Sequence, residues 1–449
     1  MSERNTNSIT EGVIWRQLLS FFFPIVLGTF FQQLYNTADS IIVGRFIGKE
    51  ALGCVGGSSA QIVMLLVGFF VGLSSGATVI VAQHYGAGDR INVEKAMHTS
   101  AAFSILGSLV VMGIALPLSP KFLALMKTPS SMMAGSIIYL KIYFSGVFFT
   151  FVYNIGAAIL RAVGDSKRPL YYLIAGCIVN IVLDLIFIVY GHMGIKGAAL
   201  GTVLSQAVSA YLTLRALLKT DDMYKLTPKK IRFHGDTLKR ILQIGIPAGV
   251  QGITYTISNI TIQTAFNTFG TDTVAAWSAF GKIDAIFWMI SGAYGISITT
   301  FVGQNYGAGK YDRAEKSVKT CLKMAIITFV GFTFLFFFCG RFFFSWFTTD
   351  KSVIDIGFYM MRLMAPGYFL FAFIEVLSGA LRGVGDVLIP MILSCSGICV
   401  FRILWIIILL PKNPTVFTIT ISYPISWGIT AILFILYYKR QKPKLLGSL

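Results

Sequence analysis

The sequence predicts an all-α polytopic membrane protein with twelve transmembrane helices, arranged as two parallel six-helix bundles related by a pseudo-twofold axis along the membrane normal. Three observations carry this prediction: an apolar composition, twelve long apolar stretches and an internal repeat. Hydrophobic residues make up 55% of the 449 residues, charged residues only 12%, and the mean hydropathy is +0.74. The charged share is about half that of a typical soluble domain. This composition excludes a soluble cytoplasmic enzyme, a disulfide scaffold and a disordered protein.

Twelve apolar stretches are long enough to cross the hydrocarbon core, which takes about 20 helical residues. The first one follows a polar start and is itself long enough to span, so we expect no cleavable signal peptide. Only short loops remain between the stretches, which leaves no room for a soluble domain. The predicted spans cover residues 17–43, 54–80, 94–117, 136–160, 168–190, 195–217, 240–266, 275–301, 318–339, 357–380, 387–410 and 416–438.

The formal net charge of +18 comes from short basic clusters between the spans. A nucleic-acid-binding protein would need a continuous basic face, so we expect the lipid bilayer and no nucleic acid as a partner. Most Lys and Arg fall in the loops on the same side as the N-terminus, and the positive-inside rule therefore places both termini in the cytoplasm. We expect a monomeric integral protein of the cytoplasmic (inner) membrane.

The chain repeats itself. Residues 83–88 (QHYGAG) reappear as 304–309 (QNYGAG), and residues 160–165 (LRAVGD) reappear at the same offset as 381–386 (LRGVGD). Two unrelated matches at one offset indicate an internal duplication.

Each half of the duplication holds six spans, so both copies enter the membrane in the same direction. Halves of this kind are related by an axis along the membrane normal and place a binding site at their interface. We therefore divide the chain into an N-terminal six-helix bundle (1–218), a cytoplasmic basic linker (219–240) and a C-terminal six-helix bundle (241–449).

Twelve spans in two parallel halves, with these paired loops in both, resemble the multidrug and toxic compound extrusion (MATE) transporters. The resemblance covers essentially the whole chain. It implies an antiporter that exports organic cations and other amphipathic small molecules in exchange for H⁺ or Na⁺, by alternating access. Apart from that coupling ion, no cofactor is expected.

Four acidic residues lie within the predicted spans: Asp39, Asp184, Asp284 and Glu375. Each costs on the order of 2.5–3.5 kcal/mol at the centre of the bilayer, so each is a candidate functional residue.

The first-half acids lie among polar neighbours. Tyr35 and Asp39 share one face of the first span, and Asn180 and Asp184 share one face of the fifth. We expect these side chains to collect in one polar pocket with Thr202 and Asn154. Two carboxylates in a dry pocket suit a coupling-ion site for H⁺. The same oxygens, with Asn and Thr neighbours, also suit Na⁺. The alternative is a hydrogen-bonded network that only holds helices together.

The MATE resemblance implies the same location for the ion site. Family members of the archaeal type place it in the first half, at positions that match Tyr35, Asp39, Asn180, Asp184 and Thr202 here. The resemblance also implies that Pro24 bends the first span. Na⁺, if it is the coupling ion, would bind at Asp39, Asn180, Asp184 and Thr202.

The second half differs from the first. The position equivalent to Asp184 is Trp405, the one equivalent to Asp39 is near Thr261, and the family's span-seven acid is replaced by Tyr255. Two roles stay open for the charged residues of the second-half spans: a substrate site, or neutralising Glu375–Arg402 and Lys282–Asp284 pairs. These residues are Lys282, Asp284, Glu375 and Arg402.

Two other classes of function were weighed against the antiporter. A flippase of a lipid-linked saccharide precursor would favour a cationic central cavity, whereas the basic residues here lie mainly in loops. A membrane-embedded enzyme needs a nucleophile or a metal set, and the four His form no HxxxH or HExxH pattern. We therefore expect a transporter and no enzyme.

Overall fold

The computed structural model describes residues 9–445, and within that range every regular element is helical. A helix satisfies its own backbone hydrogen bonds, which is why apolar segments take this form in a membrane. The first half contains α1 (Ile14–Phe46), α2 (Lys49–Gly56), α3 (Ser58–Gly86), α4 (Arg90–Leu125), α5 (Ser130–Ser145), α6 (Val147–Ala162), α7 (Lys167–Asp184) and α8 (Ile195–Lys219). The second half contains α9 (Gly235–Asn267), α10 (Thr271–Gly307), α11 (Tyr311–Ser345), α12 (Lys351–Met364), α13 (Tyr368–Gly383), α14 (Leu388–Ser394), α15 (Phe401–Leu409) and α16 (Val416–Leu445).

Ten helical segments of the described chain are long and apolar enough to cross a membrane, and the bent pair α5 and α6 makes an eleventh. The two helices of this pair differ in direction by 50° at Gly146, so the predicted straight span 136–160 is a broken one. The predicted span 54–80 is likewise interrupted, because α2 ends and α3 begins around Gly57. These breaks occur at glycine, which adds little resistance to a change in chain direction.

Helix α9 corresponds to the predicted span 240–266 and is 33 residues long, but it is less apolar than the other eleven segments. Hydroxyl side chains account for part of the lower apolar character of α9. Those of Thr254, Thr256 and Thr261 each donate a hydrogen bond to a backbone carbonyl one turn earlier. Bonding of this local kind lets a hydroxyl enter an apolar environment without a partner from another helix.

The described residues pack as two units. One contains Phe23–Gly249, and the other contains the residues up to Phe22 together with those from Val250 onward. Helices α1 and α9 therefore each begin in one unit and end in the other. These units differ from the division at 1–218 and 241–449, which remains a prediction about the sequence repeat.

A proline lies beside each of these crossing points. Pro24 follows Phe22 by two residues in α1, and Pro247 precedes Val250 by three in α9. A proline inside a helix removes one backbone hydrogen bond and crowds the preceding turn. Both helices are therefore weakened where their packing partners change. The predicted bend at Pro24 stays a prediction, since α1 is one continuous helix.

Glycines allow α3 and the first part of α9 to approach closely within one unit. A β-carbon on Gly72 would lie 2.6 Å from the Cα of Gly249, and one on Gly76 would overlap the carbonyl oxygen of Ile241. The sequence carries a G-x-x-x-G spacing on both helices, at Gly72 and Gly76 and at Gly245 and Gly249. Small residues at this spacing are typical of close helix pairs in membranes.

Candidate ion-binding site

Three helices of the first half bring together the polar residues predicted to form one pocket. Asp39 comes from α1, Asn180 and Asp184 come from one face of α7, and Thr202 comes from α8. Asp39 is 7% exposed, while Asn180 and Asp184 are completely buried. The carboxylates of Asp39 and Asp184 lie close enough to interact electrostatically with each other. Ionised carboxylates only accept hydrogen bonds, so these two can bond to each other only if one of them carries a proton.

Several polar atoms of this group have no hydrogen-bond partner among the described residues. They are Oδ1 of Asp39, both carboxylate oxygens of Asp184, and both amide atoms of Asn180. Buried polar atoms are nearly always paired, and unpaired ones are costly. Carboxylate and amide oxygens are also the atoms that hard cations bind. The donor set therefore fits either a shared proton or a small hard cation.

Thr202 adds a hydroxyl to the same region of α8. Its Oγ1 donates to the carbonyl oxygen of Ala198 at 3.0 Å, which leaves the oxygen lone pairs available as acceptors. The residue before it, Gly201, contacts Asp184 directly, because a β-carbon there would overlap Oδ1 of Asp184. Gly201 was not predicted as a residue of the site. The small residues at Gly197 and Gly201, spaced as in G-x-x-x-G, are the signal that could have identified it.

Tyrosines lie near the aspartates. Tyr35, which was predicted, and Tyr139, which was not, both interact electrostatically with Asp39 and Asp184. Tyr143 lies one turn after Tyr139 on α5, and their rings stack with centroids 6.2 Å apart. Phenol groups at this spacing in an otherwise apolar span mark a face that is not directed at lipid.

Asn154 is not brought together with the aspartates, contrary to the prediction. Its Nδ2 donates to the carbonyl oxygen of Thr150 at 2.8 Å, on its own helix. The side chain lines a different small cavity, among Phe70, Phe103 and Phe151. The cavity brings Asn154 against α3 and α4 rather than against the aspartate pair.

In the second half, Asp284 is held by two donors rather than by a lysine. The hydroxyl of Tyr368 and the indole Nε1 of Trp288 each donate to one of its carboxylate oxygens, the latter at 2.6 Å. A Lys282–Asp284 ion pair, one of the alternatives that the sequence left open, is absent from the described residues, because positions two apart on a helix point in different directions. Lys282 is exposed and lies 5.8 Å from the ring centroid of Phe347.

Arg402 is buried against aromatic rings and forms no ion pair with Glu375 in the described part of the chain. Its guanidinium lies 3.8 Å from the ring centroid of Tyr423, and its Nε donates to Oγ of Ser426 at 2.9 Å. Contact with an aromatic face stabilises a cation in an apolar environment. Glu375 instead lies against Gly295 of α10, where a β-carbon would overlap its carboxylate.

The sequence matches a protein-family model in two segments. The model, described as MatE, matches residues 24–186 and again residues 247–408. The chain belongs to the MatE family. The double match confirms the predicted duplication and the resemblance to MATE transporters, and as a member of this family the protein is a transporter and not an enzyme.

Curated relatives of this MatE protein are multidrug resistance proteins. It is 25% identical over 443 residues to the probable multidrug resistance protein YoeA of Bacillus subtilis (strain 168), which covers 97% of this chain and 95% of the relative. It is 30% identical over 396 residues to the probable multidrug resistance protein YpnP of the same organism, covering 88% of each chain. The family is therefore one of multidrug efflux transporters, and the protein carries small-molecule substrates across a membrane.

Solved structures of the family share the fold. One of them, described as the outward-facing conformation of a multidrug resistance MATE family transporter of the MOP superfamily, aligns with a TM-score of 0.91. It is 22% identical and covers 99% of each chain. The prediction of an all-helical membrane protein with two repeated halves is thus confirmed for this MatE transporter.

Proposed function

We propose that this MatE-family transporter exports cationic or amphipathic small molecules across the cytoplasmic membrane in exchange for a small monovalent cation, H⁺ or Na⁺. The observation that carries the proposal is the facing pair Asp39 and Asp184, buried with carboxylate oxygens that have no partner among the described residues. A purely structural network would be expected to satisfy these atoms. We also propose that both termini are cytoplasmic and that the transporter acts as a monomer.

The aspartates give the coupling ion a defined effect. Binding of one cation between Asp39 and Asp184 removes the repulsion of two negative charges in a region of low dielectric constant. Because Asp39 belongs to α1 and Asp184 to α7, occupancy changes the free energy of packing these helices together. Pro24 precedes Asp39 in α1 and weakens the helix near the point where its packing unit changes. This helix is therefore suited to respond to ion binding at Asp39. Ion entry from outside then favours the conformation that releases the exported compound outward.

The available driving force depends on the charge of the cargo. One elementary charge crossing about 100 mV carries about 2.3 kcal/mol, which corresponds to roughly a 50-fold gradient. When a monovalent organic cation is exchanged for one monovalent ion, the electrical contributions cancel. Only the concentration difference of the coupling ion then drives export.

The test is uptake of a fluorescent cationic dye into energised everted membrane vesicles. We expect the double substitution Asp39→Asn with Asp184→Asn to abolish dye accumulation, because neutral amides cannot exchange the ion. Asp221→Asn is the matched control, since this carboxylate is exposed in the linker. Accumulation that survives in the double variant would rule out this mechanism.

Separate gradients distinguish the two ions. In proteoliposomes, a pH gradient without Na⁺ drives export only if the ion is H⁺, and a Na⁺ gradient at uniform pH drives it only if the ion is Na⁺. Dependence on neither gradient would contradict coupling at the aspartate pair.

A further inference from the structure

A second polar site lies at the end of α7 and α8 that joins the linker. A cavity of about 330 Å³ there is lined by the cationic side chains of Arg168, Arg215 and Lys219, together with Tyr172 and Thr220. This volume is within the range of small-ligand sites. Helix α7 begins at Lys167 and α8 ends at Lys219, and the helical segments Lys167–Tyr190 and Ile195–Lys219 are both long and apolar enough to span a membrane. The cavity therefore lies where hydrocarbon gives way to water.

The carboxylates near this cavity are engaged by other groups. Asp165 forms an ion pair with Arg168. Asp221 pairs with Lys225 at 3.2 Å. The third carboxylate, that of Asp222, accepts a hydrogen bond from the hydroxyl of Tyr85 at 3.0 Å. None of the three contacts Arg215 or Lys219.

Two positive charges consequently remain without a counter-charge. The side chains of Arg215 and Lys219 form neither an ion pair nor a hydrogen bond with any residue that the structure describes. They are four residues apart on α8, so they lie on one face of the helix. Arg168 adds a third cation to the cavity, and its Nη2 donates to the hydroxyl of Tyr224 at 2.8 Å. The chemistry of the lining is that of a phosphate-binding site.

An exposed apolar surface leads away from these cations along both helices. On α8 the exposed residues recur every seven positions, on the face that also carries Arg215 four residues after Tyr211. A similar series runs along α7. The residues are Leu204, Tyr211 and Leu218 on α8, Tyr171 and Ile178 on α7, and Leu185 directly after the end of α7. A ligand that fits both the cationic cavity and the apolar surface has an anionic headgroup and apolar chains.

We propose that this cavity binds the headgroup phosphate of an anionic phospholipid. Arg215 and Lys219 contact the phosphate, and the acyl chains lie along the apolar series of α7 and α8. Basic pockets between membrane helices at the membrane surface bind anionic headgroups in this manner. A free phosphate ion would use the cations but not the apolar surface, which is why the structure favours the lipid.

The experiment measures lipid binding to the purified full-length transporter by native mass spectrometry. Phosphatidylglycerol and phosphatidylcholine of equal chain length are added in turn, and inorganic phosphate is added as a competitor. The test variant is Arg215→Gln with Lys219→Gln. The matched control is Lys229→Gln with Lys239→Gln, which removes two exposed linker cations that do not line the cavity. A further variant, Arg215→Lys with Lys219→Arg, preserves the charge.

We expect the wild type, the linker control and the charge-preserving variant to prefer phosphatidylglycerol. In the test variant, the preference for phosphatidylglycerol over phosphatidylcholine should fall roughly 30-fold, because two positive charges near the lipid phosphate are lost. Inorganic phosphate should displace little lipid. Unchanged preference in a test variant that keeps the wild-type unfolding temperature would overturn the proposal. Complete displacement by millimolar inorganic phosphate would also overturn it, because the ligand would then be the soluble ion.

Discussion

Asp184 and Gly201 are in direct contact: a carboxylate oxygen of Asp184 occupies the space that a β-carbon at position 201 would need. The absence of a side chain on α8 thus determines how deeply the α7 carboxylate lies between the helices. Asp184 is completely buried and interacts electrostatically with Asp39 of α1. The geometry of the proposed ion site therefore depends on a residue that is neither charged nor polar in its side chain.

Replacing Gly201 by Ala should impair transport by displacing the Asp184 carboxylate from its position opposite Asp39. We expect dye export to fall at least about tenfold, since misplacing a functional group by about 1 Å can cost about a hundredfold. The measurement is initial uptake into everted vesicles at matched protein levels. Gly113→Ala is the control, because a β-carbon there meets no atom within 4 Å. Equal transport by both variants would show that the carboxylate tolerates displacement.

In the second half, Glu375 likewise lies against a glycine, Gly295 of α10. Gly295→Ala should destabilise the protein by about 1–3 kcal/mol through overpacking, as measured by thermal unfolding in detergent. Combining it with Glu375→Ala should recover part of the loss, because the overlapping atoms are then removed. Gly292→Ala is the control, since its β-carbon meets no atom within 4 Å. If the stability losses of Gly295→Ala and Glu375→Ala simply add in the double variant, the proposed contact between the two positions is contradicted.

Much of the architecture could be predicted from the sequence because the membrane restricts the choices. Apolar segments must be helical to satisfy their backbone groups, so the stretches around 17–43 and 275–301 indicate helices without any structural information. The high cost of buried acids identified Asp39 and Asp184, and helical spacing placed Asn180 on the same face as Asp184. These inferences need only the properties of single helices.

What could not be predicted depends on how one helix is positioned against another. The sequence does not show which neighbouring helix Asn154 meets. Asn154 was expected in the polar pocket, but it lies away from the aspartates. Similarly, the sequence left a Glu375–Arg402 ion pair open as one of two roles for these charges. The guanidinium instead packs on Tyr423, 21 residues later in the chain, a contact that depends on the depth and register of α15 and α16.

Tyr368→Phe should leave Asp284 short of one hydrogen-bond donor. The hydroxyl of Tyr368 donates to one carboxylate oxygen, and Trp288 donates to the other. An unsatisfied buried acceptor costs about 1–3 kcal/mol, and the ring itself is retained by the substitution. We expect a lower thermal unfolding temperature than for the control Tyr359→Phe, whose ring is 46% exposed on α12. Equal unfolding temperatures for Tyr368→Phe and Tyr359→Phe would mean that the Tyr368 hydroxyl contributes nothing to stability.

Acidification should loosen the linker at His234. Burial, and secondarily Arg232, lower the pKa of His234 below its ordinary value. The neutral ring accepts a hydrogen bond from Nε of Arg232 at 3.2 Å and contacts the Thr99 hydroxyl at 3.1 Å. The pKa of His234 is lower in the folded protein than in the unfolded chain. The neutral ring therefore contributes fully to stability above about pH 6.5, and this contribution is lost as the pH falls. The groups that face the ring also include Glu94, Lys95 and His98.

In hydrogen–deuterium exchange corrected for intrinsic rates, protection of the His234 amide should decrease from pH 7 to pH 5, and His234→Gln should remove this dependence. The control His192→Gln should keep it, and a wild-type amide with constant protection would contradict the prediction.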